Sequence, residues 1–281
     1  MAAIADLSDL LNRSSGGASG APENIFFYKV ARVAGAAAPA AIAGRMHSLW
    51  QYEGMPSAGS VPGAGEIPTN STAGAIPFTN ASAGFEKWMT QIAAGSLGAG
   101  TLILYDRLFQ EGGFNATATG DQTVQGDPAS PEITRNTSGV GNIMFAEITT
   151  IIGTTGATLS AEYVSDTDVT ASSAVAFGAT GFREVTRVQI LPMTGGHKGV
   201  KSVKKIRLSA TTGTAGAFNI VIGRPLAWIP IGVAGATGWR DFTTGLPGIP
   251  KIDDNACLAF LWFSGSTTAP EIFGTISTIQ A

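Results

Sequence analysis

Few residues in this chain of 281 could carry catalysis, and their spacing restricts what they could do. There are two imidazoles, His47 and His197, and one thiol, Cys257. A zinc site wants three or four Cys, His or carboxylate ligands, often at short spacing, and two histidines so far apart beside a single cysteine do not make that pattern. A Ser-His-Asp triad is defined by geometry, not by order along the chain. Spacing alone therefore leaves it open, but the G-x-S-x-G turn that presents a nucleophilic serine is absent. Ser202 and Lys205 read S-x-x-K, a motif that opens a helix in penicillin-binding enzymes. Here it lies in KGVKSVKKIRLSA, where Ile206 and Leu208 alternate with Lys205 and Arg207 as in a strand. Asp166 with Asp168, and Asp253 with Asp254, are the best carboxylate pairs for a cation. Calcium takes about six to eight oxygens, and no EF-hand loop surrounds either pair. No glycine-rich phosphate motif occurs. The expectation is no catalytic residue, no metal and no cofactor.

Residues suited to recognition are better represented. His197, Lys198, Lys201, Lys204, Lys205 and Arg207 place six basic or potentially basic groups in one short run. Lysines on an exposed edge strand discourage unwanted pairing, and the same charges could meet an acidic partner surface. Nucleic acid is the weakest of the three readings, because no aromatic interleaves the run and the net charge is −3. Trp50, Tyr52, Trp88, Trp228, Trp239 and Trp262 mostly sit in or beside Gly/Pro-rich stretches. They either pack beneath loops or anchor one subunit to another, since aromatics favour interface cores. An exposed Trp such as Trp239 or Trp50 would also serve a sugar-binding loop. The candidate interface residues are thus Trp50, Tyr52, Trp88, Trp228, Trp239, Lys198, Lys201, Lys204 and Lys205.

The elements that must position them follow from composition and pattern. Charged residues make up 13% of the chain, about half the ~25% of an average soluble protein. There are 37 glycines, and 42 alanines inflate the apolar share. A helix-rich enzyme would carry more charge on its solvent faces, and a disordered chain would be less apolar. What remains is a mainly β fold, with an antiparallel β-sandwich or jelly-roll-like core over 101–281 and a long, loop-rich N-terminal arm over 1–100. The arm begins with Ile4, Leu7, Leu10 and Leu11 at helical spacing, stopped by Gly16 and Gly17. Ile25 to Val33 reads as a strand, four prolines follow between Pro56 and Pro77, and Trp88, Met89 and Ile92 suggest a second helix over Phe85 to Ala94. TLILYDRLF reads as a buried strand and REVTRVQIL as an alternating one. NIMFAEITTIIG with ATLSAEYVS, and VKKIRLSA with AFNIVIGRPLAWIPI, read as hairpins across Gly/Thr turns. A loop from about Gly232 to Asn255 leads to ACLAFLWF and EIFGTISTI, expected to complete the same sheet. The opening residues lack a basic segment, so no secretory signal is expected. The most apolar stretch, Ala215 to Gly235, is interrupted by Asn219, Arg224, Pro225 and Pro230, which argues against a membrane span.

Several runs also resemble structural proteins of tailed bacteriophages: GTLILYDRLFQEGGFNATATGDQTVQG, GVKSVKKIRLSATTGTAGAFNIVIGRPLAWIPI, DDNACLAFLWFSGSTTAPEIFGTI and HSLWQYEGMPSAGSVPG. The resemblance covers most of the chain and rests on packing and turn patterns. It implies a non-enzymatic virion component, assembled in the host cytoplasm, that acts by contact. Within that group a capsid decoration or cement protein fits a β core with an arm clamped over neighbours. A major capsid subunit of the common type would show a long charged spine helix, which this chain lacks, and a tail-tube or connector component stays open. The partners implied are further copies of itself, a trimer among the options, and other virion proteins such as the major capsid protein.

Overall fold

The computed structural model describes residues 4–179, 181–243 and 248–281. One helix forms near the start, α1 (Leu7–Ser14), where the Asp6 side chain accepts a hydrogen bond from the Asp9 amide and caps the first turn. Gly16, at a φ of 93°, takes the left-handed conformation that ends it. All other regular structure of any length is strand: β1 (Glu23–Val33), β2 (Ala36–Ala37), β3 (Met46–Ser48), β4 (Tyr52–Met55), β5 (Lys87–Ser96), β6 (Gly100–Asn115), β7 (Gln122–Thr123), β8 (Ile143–Thr150), β9 (Gly156–Ser165), β10 (Thr170–Gly178), β11 (Arg187–Leu191), β12 (Val200–Leu208), β13 (Ala217–Ile231), β14 (Thr237–Asp241), β15 (Lys251–Ile252), β16 (Leu258–Ser264) and β17 (Ile272–Gln280). The fold is mainly β and antiparallel, as composition and pattern imply.

The strands form three bodies. β11-β3-β16-β6-β13-β8 close into a barrel. A large sheet, β14-β5-β17-β1-β2 with β15 on β5 and β4 on β1, packs on one flank, and a small sheet, β10-β9-β12-β7, packs on the other. Ile25, Phe27, Met89, Ile92, Ile272 and Ile276 of the large sheet meet Leu102, Leu104, Phe260 and Ile229 of the barrel wall. Leu159, Tyr163, Val203 and Ile206 of the small sheet meet Leu108, Phe109, Ile220 and Ile222. Ile103, Tyr105, Phe145, Val221, Cys257 and Leu261 fill the barrel itself. β6 and β13 thus serve both flanks and the interior, which is why TLILYDRLF carries buried apolar residues on both parities, with the paired Asp106 and Arg107 between them. Each such buried side chain stabilises the fold by ~1.5–3 kcal/mol relative to exposure.

Several local expectations are corrected by this arrangement. The segment from Phe85 to Ala94 is not a helix but most of β5. Ser277 and Thr278 of β17 face Gln91 and Met89, leaving Thr90 as the extra residue of a bulge. The bulge puts Met89 and Ile92, three apart, on one buried face and so imitates helical spacing. The two expected hairpins do not pair: β8 and β13 lie in the barrel, β9 and β12 in the small sheet. β16 and β17 likewise separate into barrel and large sheet. In each case one strand belongs to the barrel wall and its neighbour in sequence to a sheet that covers the barrel, so the chain crosses between layers. The expected loop after Gly232 contains β14 and β15, while its residues 244–247 lie outside the described residues. The first hundred residues, expected as an arm on neighbouring subunits, are tied into the chain's own sheets: β1 pairs β17, β5 pairs β17 and β14, and β3 pairs β11 and β16. The proline-rich stretch between β4 and β5 is the loop that the composition suggests.

Candidate functional site

The residues first considered for chemistry are dispersed. His47 lies on β3 against Arg187, and His197 lies before β12 with its ring edge-on to Tyr163. Burial and the Arg187 charge hold His47 down at about 3, so it is a neutral acceptor. Cys257 is fully buried, and burial pushes its thiol well above the ordinary range. Asp253 pairs with Arg224 at 3.3 Å, and Asp166 accepts the Lys198 amide at 3.0 Å. Among the described residues no group of three His, Cys, Asp or Glu is placed to hold a metal ion.

One cluster of ionisable groups does form, inside the barrel. Arg107 Nη2 donates to Glu147 Oε2 at 2.7 Å, Nη1 to the Tyr105 hydroxyl at 3.0 Å, and Nε to Gln110, whose amide nitrogen donates to Glu66. The Trp50 ring covers the guanidinium with its face, 4.5 Å from centroid to Cζ, while its indole nitrogen donates to Ser60 O at 2.9 Å. Arg107, Glu147, Tyr105 and Gln110 are wholly buried and form a clamp across the barrel, and of this cluster only Glu66 reaches the surface. The clamp also accounts for Trp50, which is interior and not an anchor. Tyr52 and Trp262 are interior as well, and Trp88 is half-buried beside Lys251 of β15.

The basic run is also less available than its sequence suggests. Lys201 meets Asp168 at 2.7 Å, Lys204 meets Asp127 at 2.6 Å, and Lys205 meets Asp121 at 3.1 Å and Glu162 at 3.6 Å. The Asp121 hydrogen bond, with its charge and that of Glu162, raises Lys205 above its ordinary value. Lys198 is exposed, and the other three lysines are partly covered. Three cations of the run are thus neutralised by carboxylates of the same chain, and Arg207 donates to Thr119 O at 3.2 Å.

Exposed aromatic surface gathers instead on the large sheet. Directly paired residues share a face, and the register gives one row of Thr237, Gly95, Phe273, Tyr28 and Met55 across β14, β5, β17, β1 and β4. The next row is Trp239, Ala93, Thr275 and Phe26. Trp239 is 65% exposed, Phe26 52%, Met55 54%, Phe273 47% and Tyr28 37%. Small residues between them let the rings lie flat: a Cβ on Gly95 would come within 2.6 Å of the Phe273 ring, so that ring rests on bare backbone. Beyond Trp239 comes a polar row of Asp241, Gln91, Ser277 and Asn24, and at the opposite end Arg32 and Glu53 pair at 3.6 Å. An apolar centre with a polar rim is the anatomy of a protein–protein interface. Exposed Leu11 of α1 adjoins the polar edge of the face, across a cleft of 200 Å³ lined also by Gln91 and Asp241.

Of the candidate interface residues, only Trp239 belongs to this face, and Trp228, half exposed, projects from β13. Phe26, Tyr28, Met55 and Phe273 were missed. The available signal was ENIFFYKV, whose large apolar residues occupy both parities of one strand, one more face than the core needs. Comparison with protein-family models, curated proteins and solved structures finds no match.

Proposed function

We propose that this protein is a structural subunit of a tailed-phage virion, most like a capsid decoration or cement protein. It works by docking the outer face of its large sheet on neighbouring subunits. The observation that carries the reading is that face: five large apolar side chains in register, rimmed by polar residues, on a chain with little charge elsewhere. Soluble monomers rarely leave so continuous an apolar patch in water. The mechanism is burial of apolar area and main-chain contact, which stabilises an assembly by mass action without a chemical step. The phage context rests on the resemblance of the runs quoted above, and the partners are further copies of the chain and capsid protein.

The test is co-sedimentation with undecorated heads of the phage that encodes the chain. Wild-type protein is expected to pellet with the heads, and a Trp239→Ser, Phe273→Ser variant to remain in the supernatant. Wild-type protein that stays in the supernatant overturns the decoration role. If both proteins pellet equally, the docking face lies elsewhere.

A further inference from the structure

Four arginines are buried in this molecule, and three have a carboxylate in contact: Arg13 with Asp9, Arg107 with Glu147 and Arg135 with Asp106. Arg187 is the exception. It is 2% exposed on β11, its Nη1 lies 2.6 Å from His47 Nδ1 on β3, and its Nη2 donates to Ala40 O at 2.6 Å. His47, held neutral, brings no negative charge, and Glu184, whose field reaches Arg187, is itself paired with Arg183 at 3.6 Å. A guanidinium does not shed its proton under burial, and an unpaired buried charge is among the costliest arrangements a fold can hold.

Arg187 Nε lacks a partner here, and the Tyr52 hydroxyl and Thr186 Oγ1 have none beyond each other. Each can donate a hydrogen bond, and the Tyr52 hydroxyl lies within the influence of both Thr186 and Arg187. Thr186 sits at a φ of 71°, a conformation rare for a β-branched residue, and such departures gather where a ligand is held. Unpaired charge, unmet donors and backbone strain coincide on adjacent residues beneath the 38–45 loop, where Ala41 is buried and Ala40 is exposed.

We propose that this site binds a small monovalent inorganic anion, of which chloride is the simplest, held by Arg187 Nε, the Tyr52 hydroxyl and Thr186 Oγ1. One fixed positive charge with donors suits a single negative charge, because the buried Lys29 ammonium nearby is already spent on the main-chain oxygens of Tyr52 and Pro56; a phosphate would bring more charge than one guanidinium can offset. The anion would pin β3, β11 and the start of β4 together at the seam between barrel and large sheet. The inference is independent of the assembly reading.

The experiment is thermal unfolding of the full chain in sodium chloride, sodium bromide and sodium gluconate at matched ionic strength, with crystals grown in bromide for anomalous diffraction. Tm is expected to rise with each tenfold increase in chloride or bromide and to stay level in gluconate. An anomalous peak is expected within hydrogen-bond distance of Arg187 Nε. Tyr52→Phe, which keeps the ring, is expected to weaken the halide dependence, and Arg187→Gln to abolish it. Equal Tm in all three salts overturns the proposal, as does a water without anomalous signal at the site. Halide dependence that persists unchanged in Tyr52→Phe also overturns it, because the anion would then bind elsewhere.

Discussion

The large and small sheets pack on the same barrel with the same kind of inner face and differ almost wholly on the outside. Inside, Phe27 and Ile276 of one correspond to Tyr163 and Ile206 of the other, all buried. Outside, the small sheet shows Ser172, Ala174, Ala176, Ser160 and Arg207, with Glu162 and Lys205 paired across it. The large sheet shows Trp239, Phe26, Tyr28 and Phe273. Burial of the inner faces is what folding requires, so the difference outside is free to encode what each sheet meets. The small sheet is finished against water, whereas the large sheet leaves large apolar side chains exposed.

The sharpest way to separate the two roles is within one strand. Phe27 packs its ring 4.6 Å from Phe260, and its neighbour Phe26 points outward from β1. Phe27→Ala is expected to lower unfolding stability by ~3–5 kcal/mol, and Phe26→Ala to change monomer stability by only about 0.5 kcal/mol. Urea denaturation of dilute protein measures both; similar losses would mean that the outer face is part of the core. Next in size is the effect on association. Trp239→Ser with Phe273→Ser is expected to weaken self-association by ~2 kcal/mol or more, roughly 30-fold, as loss of interface anchors does. Ala174→Arg on the small sheet should leave it unchanged. Sedimentation equilibrium reads both, and an equal response to Ala174→Arg would erase the distinction between the faces. Smaller still is Lys201→Ala, which removes an ion pair whose Asp168 side chain is 73% exposed. The expected loss is ~0.2–1 kcal/mol, since solvent screens such pairs, and a larger loss would show the small sheet's charges to be more than a solvated surface.

What could be read beforehand follows the same divide. Strand existence was legible wherever side chains alternate, as in REVTRVQIL, most of which is β11. Strand partners were not, because turn residues such as those after β8 and β12 suit a hairpin and a crossing between layers equally well. The bulge at Thr90 hid a strand behind helical spacing. The basic run was visible, but its carboxylate partners Asp121, Asp127 and Asp168 come from separate loops and strand ends. The aromatic face was half visible: β1 displays its excess of large residues locally, whereas its continuation into Phe273 and Trp239 depends on pairing over more than two hundred residues. The Arg107–Glu147 clamp left no local trace, its partners being 40 residues apart on different strands of the barrel.

β6 supplies a control that touches neither outer face, because it serves both flanks from the barrel wall. Its Glu111 is half-buried beside Gly65, with Oε2 enclosed and without a partner. Burial raises this carboxyl from 4.5 to about 7. Between those values the folded state keeps a proton that the unfolded chain has released, so its contribution falls as pH rises through the window and is level on either side. Glu111→Gln is expected to remove that falling slope from stability measured between pH 4.5 and 7. The slope should be shallower than that of a wholly buried carboxyl, since the group is partly solvated and screened. Self-association measured over the same window should not follow it. If the affinity of the large-sheet face tracks the Glu111 titration and loses that dependence in Glu111→Gln, barrel and outer face are coupled. The outer face would then not be free of the fold beneath it.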